Sequence, residues 1–276
     1  MFSTIIEFVL CLKFELNTLH LLSLTSKDVK DEIDKMRPIV RFSLSKVIKT
    51  RVFNIPRAIT TRFKITSLDF TMSNISEEYF TKILELISLC DSLTNLTLRN
   101  NYIGSEGIKS LATVLEKCGS LTHLDLSDNE FGDTGIKFLV PVLAQQLGQR
   151  GSLTILKLRE IQIGPLGAEK LATVLPLCGS LSHLDLSYNN IGPKGTESLA
   201  SVLDMCSSLT NLDLSSNRIG PNGAEELAEV LVRPQCKSLT HLFLECNYLG
   251  KTGKNSLERA KSQCTSLKYL LYEDYR

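Results

Sequence analysis

The sequence predicts an α/β solenoid: a stack of short parallel strands, each followed by a helix, with a small helical segment ahead of it. Three observations predict this. A unit that reads "SLTNLTLRNNYIGSEGIKSLATVLEKCG" begins at Ser92, and similar units start at Ser120, Ser152, Ser180, Ser208, Ser238 and Ser266, 28 to 32 residues apart. Within each unit two leucines alternate and then apolar residues recur at helical spacing. Between the two patterns stands an Asn in most units, at 101, 129, 189, 217 and 247.

The unit from Ser120 shows how each piece forms. Leu124 and Leu126 are separated by one residue, so on a strand they point to one side. Leu121 supports them from the preceding turn, and Asn129 carries an amide able to satisfy backbone groups where the chain leaves the strand. Gly132 allows a sharp turn. Pro165, Pro193 and Pro221 occupy the next position in other units, where the first residue of a helix has no N–H partner to lose. Ile136, Leu139 and Leu143 then mark one helical face. Neither the strand nor the helix buries its apolar side alone, so neighbouring units must stack. A degenerate unit opens at Lys64, with Leu68 and Phe70 in the strand positions, and a stub closes the chain at Arg276.

The motif LxxLxLxxNxIGxxG resembles the leucine-rich repeats of the ribonuclease-inhibitor type. That resemblance implies a horseshoe with parallel strands on the concave face and helices on the convex face. Strands spaced at about 4.8 Å and helices at about 10 Å bend such a stack.

Composition limits the functional classes. The 276 residues carry a net charge of +1, which favours neither nucleic acid nor membrane, and nucleic acid is not the expected partner. No apolar run approaches the roughly 20 residues of a spanning helix. Ile5 to Leu12 is interrupted by Glu7 and makes a poor signal peptide. A cytoplasmic or nuclear protein is expected. Of the eight cysteines, Cys90, Cys118, Cys178, Cys206, Cys236 and Cys264 each lie two residues before the Ser of a unit. They are one recurring buried position rather than a disulfide framework, and no Cys/His grouping has metal-ligand spacing. No metal and no cofactor is expected.

The candidate site is the strand surface between the leucines. One column holds Ser67, Asn95, His123, Ile155, His183, Asn211, His241 and Tyr269; the next holds Asp69, Thr97, Asp125, Lys157, Asp185, Asp213, Phe243 and Leu271. A third holds Thr71, Arg99, Ser127, Arg159, Ser187, Ser215, Glu245 and Glu273. His123 with Asp125 and His183 with Asp185 look like catalytic pairs. No Ser or Cys nucleophile accompanies them, and two strand spacings, about 10 Å, keep the histidines from sharing a metal. No catalytic residue and no enzyme activity is expected. "GKTGKNS" (Gly250–Ser256) lacks the spacing of a phosphate loop.

Departures from the repeat carry more information. Pro141 falls inside a predicted helix, extra residues follow within "AQQLGQRG", and the next strand carries Ile155, Lys157, Arg159 and Glu160, with Ile161 in place of the Asn. An apolar residue beside an Arg and a Lys has the mix of an interface centre. The partner-binding set expected on the concave face is therefore Arg99, His123, Asp125, Ile155, Lys157, Arg159, Glu160, His183, Asp185, Tyr188, Asp213, His241 and Phe243, and the expected partner is a protein.

Residues 1–34 lack the repeat. Their "TLHLLSLTSKDV" resembles an F-box, with Leu19, Leu22, Ser23, Leu24, Ser26 and Lys27 in register, although Thr18, Thr25 and Val29 depart from the F-box residues and the opening Leu-Pro is missing. The resemblance implies that Leu10, Leu19, Leu22 and Leu24 contact a Skp1-type adaptor, and that the repeats hold a substrate of a cullin-type ubiquitin ligase. The alternative for this segment is an apolar cap on the first repeat. Residues 35–63 are expected to form a basic helical linker, since Lys35 to Lys64 holds nine basic residues and no acidic one. Residues 64–276 form the repeats.

Two further classes stay open. The repeats also resemble those of the Ran GTPase-activating protein, which places an Arg after an early strand, as Arg99 is placed here. A sensor or inhibitor module, like ribonuclease inhibitor or the repeats of NOD-like receptors, is the other.

Overall fold

The computed structural model describes residues 39–43, 64–72, 75–145 and 151–273. Their elements run β1 (Ile39–Ser43), β2 (Lys64–Asp69), α1 (Glu77–Ser88), β3 (Asn95–Thr97), α2 (Ser105–Leu115), β4 (His123–Asp125) and α3 (Gly132–Ala144). There follow β5 (Ile155–Lys157), α4 (Pro165–Ala172) with a 3-10 turn at Leu175–Leu177, β6 (His183–Asp185), α5 (Gly192–Leu203), β7 (Asn211–Asp213), α6 (Gly220–Leu231), β8 (His241–Phe243), α7 (Gly250–Gln263) and β9 (Tyr269–Leu271). The strands form one sheet in chain order, and every neighbouring pair is parallel. From β2 onward the register never slips: Leu68, Leu96, Leu124, Leu156, Leu184, Leu212, Leu242 and Leu270 sit side by side as successive rungs. This is the expected leucine-rich-repeat solenoid.

The core lies between the sheet and the helices. Each unit sends its strand leucines inward to meet one stripe of its helix, as Leu124 and Leu126 meet Ile136, Leu139 and Leu143, all buried. Burying one such side chain stabilises the fold by about 1.5–3 kcal/mol. Each helix packs on the next in chain order, so stability accrues by neighbour contacts. The recurring cysteines behave as expected: Cys90, Cys118, Cys178, Cys206 and Cys236 are free and buried, and Cys264 at the end of the stack is partly exposed. Pro141 lies within α3, which continues to Ala144, with the proline itself exposed.

Two hydrogen-bond ladders stitch the rungs together. In the first, each Asn of the motif serves its own turn and the one before. Asn129 Nδ2 donates to the carbonyls of Leu98 (3.0 Å) and Leu126 (2.9 Å), and its Oδ1 accepts from the N–H groups of Asn101 (3.2 Å) and Ile103 (2.9 Å). The second ladder runs through the hydroxyl residue ahead of each strand. Thr94, Thr122, Thr154, Ser182, Thr210 and Thr240 each donate to the carbonyl of the equivalent residue one rung earlier, over 2.9–3.1 Å.

One boundary differs from expectation. Residues 39–43, inside the stretch expected to be a helical linker, are a strand, with Phe42 level with Leu68 and Ser43 level with Asp69. The stack therefore starts one rung before Lys64. Ile39, Val40 and Phe42 are strand formers, and "FSL" repeats the alternation of later units; its shift in register between Val40 and Arg41 hides the period. The helical or F-box-like segment of residues 1–34 lies outside the described residues, as do the adaptor-contact candidates Leu10, Leu19, Leu22 and Leu24.

Candidate functional site: the strand face

The parallel register brings the three sequence columns into three lines of side chains. His123, Ile155 and His183 are direct neighbours in the first line, and Asp125, Lys157 and Asp185 in the second. The partner-binding set spreads over the rungs β3 to β8, about 24 Å at a strand spacing of about 4.8 Å. It is an extended surface rather than one constellation.

The apparent His–Asp pairs are not paired. The Nδ1 atoms of His123, His183 and His241 lie 2.7, 2.8 and 2.7 Å from the hydroxyls of Thr122, Ser182 and Thr240. Each of these hydroxyls also reaches the carbonyl of the preceding rung, and whether hydroxyl or imidazole donates in each pair depends on the ring's tautomer. The aspartates serve their own turns instead. Asp125, Asp185 and Asp213 each accept at Oδ1 from the N–H two residues on, at Ser127 (3.0 Å), Ser187 (2.9 Å) and Ser215 (2.9 Å). Burial pushes the Asp213 carboxyl above its ordinary range, and the like charges of Asp185 and Glu245 add to this, against the backbone N–H of Ser215, which donates to it and lowers it. Burial lowers the His123 imidazolium, helped by the charges of Lys157 and His183.

The break at β5 produces a distinct patch. Lys157 is exposed, Ile155 and Arg159 are half-buried, and Glu160 is exposed on the turn in a left-handed conformation at φ 51°. Arg159 is held from the next rung: its guanidinium lies 3.8 Å from the ring centroid of Tyr188 and donates to Ser187 Oγ at 3.1 Å. Arg99 is held in the same way by the carboxylate of Asp128, which raises its pKa. These cations are presented in fixed positions rather than left to sweep through solvent. Ile161, by contrast, points into the core and is fully buried. It has no side-chain oxygen to offer the preceding turn, so the Asn ladder is broken at this rung.

The candidate set stops at Phe243, and the structure extends it. His241 stacks on Tyr269 (4.6 Å between centroids, 17° between planes) and lies 6.3 Å from Phe243, while Tyr269 and Leu271 are about half exposed at 56% and 46%. Alternation on the last strand carried this signal in the sequence. Among the described residues, no group of three or more His, Cys, Asp or Glu is placed to hold a metal ion, and no helix is long and apolar enough to cross a membrane. Gly250, in the loop-like "GKTGKNS", opens α7 as the corresponding glycines open α5 and α6.

A family model described as leucine-rich repeat matches residues 90–112, 117–140, 178–200 and 206–228, about a third of the chain. With the register described above, these matches fit a leucine-rich-repeat solenoid fold. The unmatched gap between residues 140 and 178 contains the β5 rung, where the motif is broken. No curated protein matches the sequence. Among solved structures, it is similar to the actin-binding site 2 of leiomodin-1 at 19% identity and a TM-score of 0.41, over 68% of this chain and 92% of that one. The C-terminal domain of tropomodulin from Caenorhabditis elegans matches at 12% identity and 0.40, over 67% and 92%. TLR13 in its complex with ssRNA13 matches at 16% identity and 0.42, over 75% of this chain and 25% of that one.

Proposed function

We propose that the protein is a non-catalytic receptor that holds another protein on its concave strand face. The observation that supports this most directly is the rung at β5. There a strand face of histidines, aspartates and serines gives way to Ile155, an exposed Lys157 and an Arg159 fixed over Tyr188. Apolar area beside an ordered guanidinium is what interface centres contain. The aspartates nearby are committed to turns and the histidines to the hydroxyl ladder, which favours recognition over catalysis. Arg99, the residue a GTPase-activating reading would need, is engaged by Asp128. A cytoplasmic or nuclear setting suits the row of free buried thiols.

In the finer reading, the receptor is the substrate-recognition subunit of a cullin-type ubiquitin ligase. This rests on the F-box-like "TLHLLSLTSKDV" ahead of the repeats. Two experiments test the two levels. Proteins cross-linked to the full chain in cells are compared with those cross-linked to the Ile155→Ala, Lys157→Ala, Arg159→Ala triple variant; unchanged capture overturns the receptor reading as placed here. Co-precipitation of a Skp1-type adaptor, lost in Leu22→Asp with Leu24→Asp, supports the ligase reading, and its absence from the wild-type precipitate sinks it.

A further inference from the structure

The concave face changes character past β5. From β6 to β9 each rung bears one carboxylate, Asp185, Asp213, Glu245 and Glu273 in turn, and the three columns contain no Lys or Arg there. The carboxylates leave acceptors free. Asp185 and Asp213 use Oδ1 on Ser187 and Ser215, which leaves Oδ2 of each for a partner. Ser215 gives its hydroxyl hydrogen to Glu245 Oε2 at 2.9 Å. His183 and His241 engage the Ser182 and Thr240 hydroxyls through Nδ1. Beside these acceptors the stacked His241 and Tyr269 and the neighbouring Phe243 make an aromatic platform. Acceptors over aromatic faces match one side-chain chemistry: a flat cation with an apolar stem, which stacks and donates at once.

We propose that the β6–β9 half of the concave face docks an extended segment of the protein partner rich in arginine and lysine, running across the strands. This rests on the receptor reading above and names the partner's chemistry. The Lys157 and Arg159 patch borders the acidic half on one side, so the face is bipolar and admits the segment in one direction. A carboxylate every ~4.8 Å meets a chain rising ~3.3 Å per residue, so a cation at every third residue reaches every second rung.

Binding of fluorescein-labelled hexa-arginine, hexa-lysine and hexa-glutamate to the full chain is followed by anisotropy at low salt. Hexa-arginine is expected to bind most tightly and hexa-glutamate least. Asp185→Asn, Asp213→Asn and Glu245→Gln together keep an acceptor for Ser187 and Ser215, so the turns survive, and they are expected to weaken hexa-arginine at least tenfold. Glu225→Gln, Glu226→Gln and Glu229→Gln on the exposed side of α6 change the charge equally and are expected to weaken it less than twofold. Tyr269→Ala is expected to cost hexa-arginine more than hexa-lysine. Equal losses in the two triple variants, equal binding of hexa-glutamate, or self-association of the chain that excludes the peptide overturns the proposal. If these arms fail while the β5 triple variant still loses its cross-linked partner, the receptor reading stands and only the partner's chemistry is wrong.

Discussion

Replacing Asn189 by Ala tests whether the Asn ladder, rather than the leucine core alone, holds the turns. Asn189 Oδ1 accepts from the N–H groups of Ile161 (3.1 Å) and Ile163 (3.0 Å), and Nδ2 donates to the carbonyls of Leu158 (2.8 Å) and Leu186 (2.9 Å). Alanine leaves two buried donors without an acceptor. Each costs about 1–3 kcal/mol, so the two together cost roughly 2–6 kcal/mol; a carbonyl that keeps one other partner loses less. For a chain of this size about 1 kcal/mol lowers Tm by about 2–4 °C, which predicts a fall of roughly 4–24 °C. Urea unfolding and calorimetry give the magnitude. Amide hydrogen exchange gives the place, because Ile161 and Ile163 should lose protection before other residues of their rungs. A loss below about 1 kcal/mol with unchanged exchange at both amides would refute the ladder's role.

Burial pushes the thiols of Cys90, Cys178 and Cys206 up to about 12 and that of Cys236 to about 11, so at pH 8 they hold almost no thiolate. Alkylation of the native protein, mapped by mass spectrometry, should modify Cys246 and Cys264 well ahead of these four. Gly195→Ala should destabilise by about 1–3 kcal/mol through overpacking, since its Cβ would meet Ile191 Cγ2 at 2.7 Å, Ala168 Cβ at 2.9 Å and the Pro165 backbone at 3.1 Å; a neutral melting curve would contradict the close approach of α4 and α5. Lys157→Ala should raise the His123 pKa in an NMR titration without bringing it to the ordinary 6.5, because burial, the larger cause, is untouched. The sign has a consequence for stability. A histidine lowered in the folded state contributes fully above its unfolded pKa, and that contribution is lost as pH falls through the folded value.

Much of this was legible in the chain. The strand leucines, the three columns, the recurring cysteine and the motif Asn follow from periods that a stack repeats without change. What escaped has physical reasons. β1 escaped because its spacing to β2 is irregular and its unit carries Val47 and Thr50 in place of the motif Asn and Gly. The hydroxyl ladder was written in every "SLT" and "SLS" but looked like surface consensus, since its acceptor lies a whole rung away. The His–Asp doublets suggested a pair that does not form, because each partner finds a better local bond. The stack of Arg159 on Tyr188 joins residues 29 apart, and only the register of β5 on β6 brings them together.

The aspartates of the second column explain why the face varies where it does. Asp69, Asp125, Asp185 and Asp213 each cap the turn after their strand, so on β2, β4, β6 and β7 that position is structurally occupied. On β3, β5, β8 and β9 the same position is Thr97, Lys157, Phe243 and Leu271, none of which carries a carboxylate to cap. Three of these four give up a local hydrogen bond and show a cation or an apolar side chain in exchange; the fourth, Thr97, stands beside Arg99. Rungs that shed the cap lean on the leucine core and the hydroxyl ladder, which run through β5 and β8 unbroken. The stack thus holds its register without the column-two carboxylate, and a rung can trade its own turn for recognition without loosening its neighbours. Placed at β5 and at β8–β9, those trades put a cationic patch and an aromatic one on either side of the Asp185 and Asp213 rungs, the arrangement that would orient the proposed arginine- and lysine-rich segment.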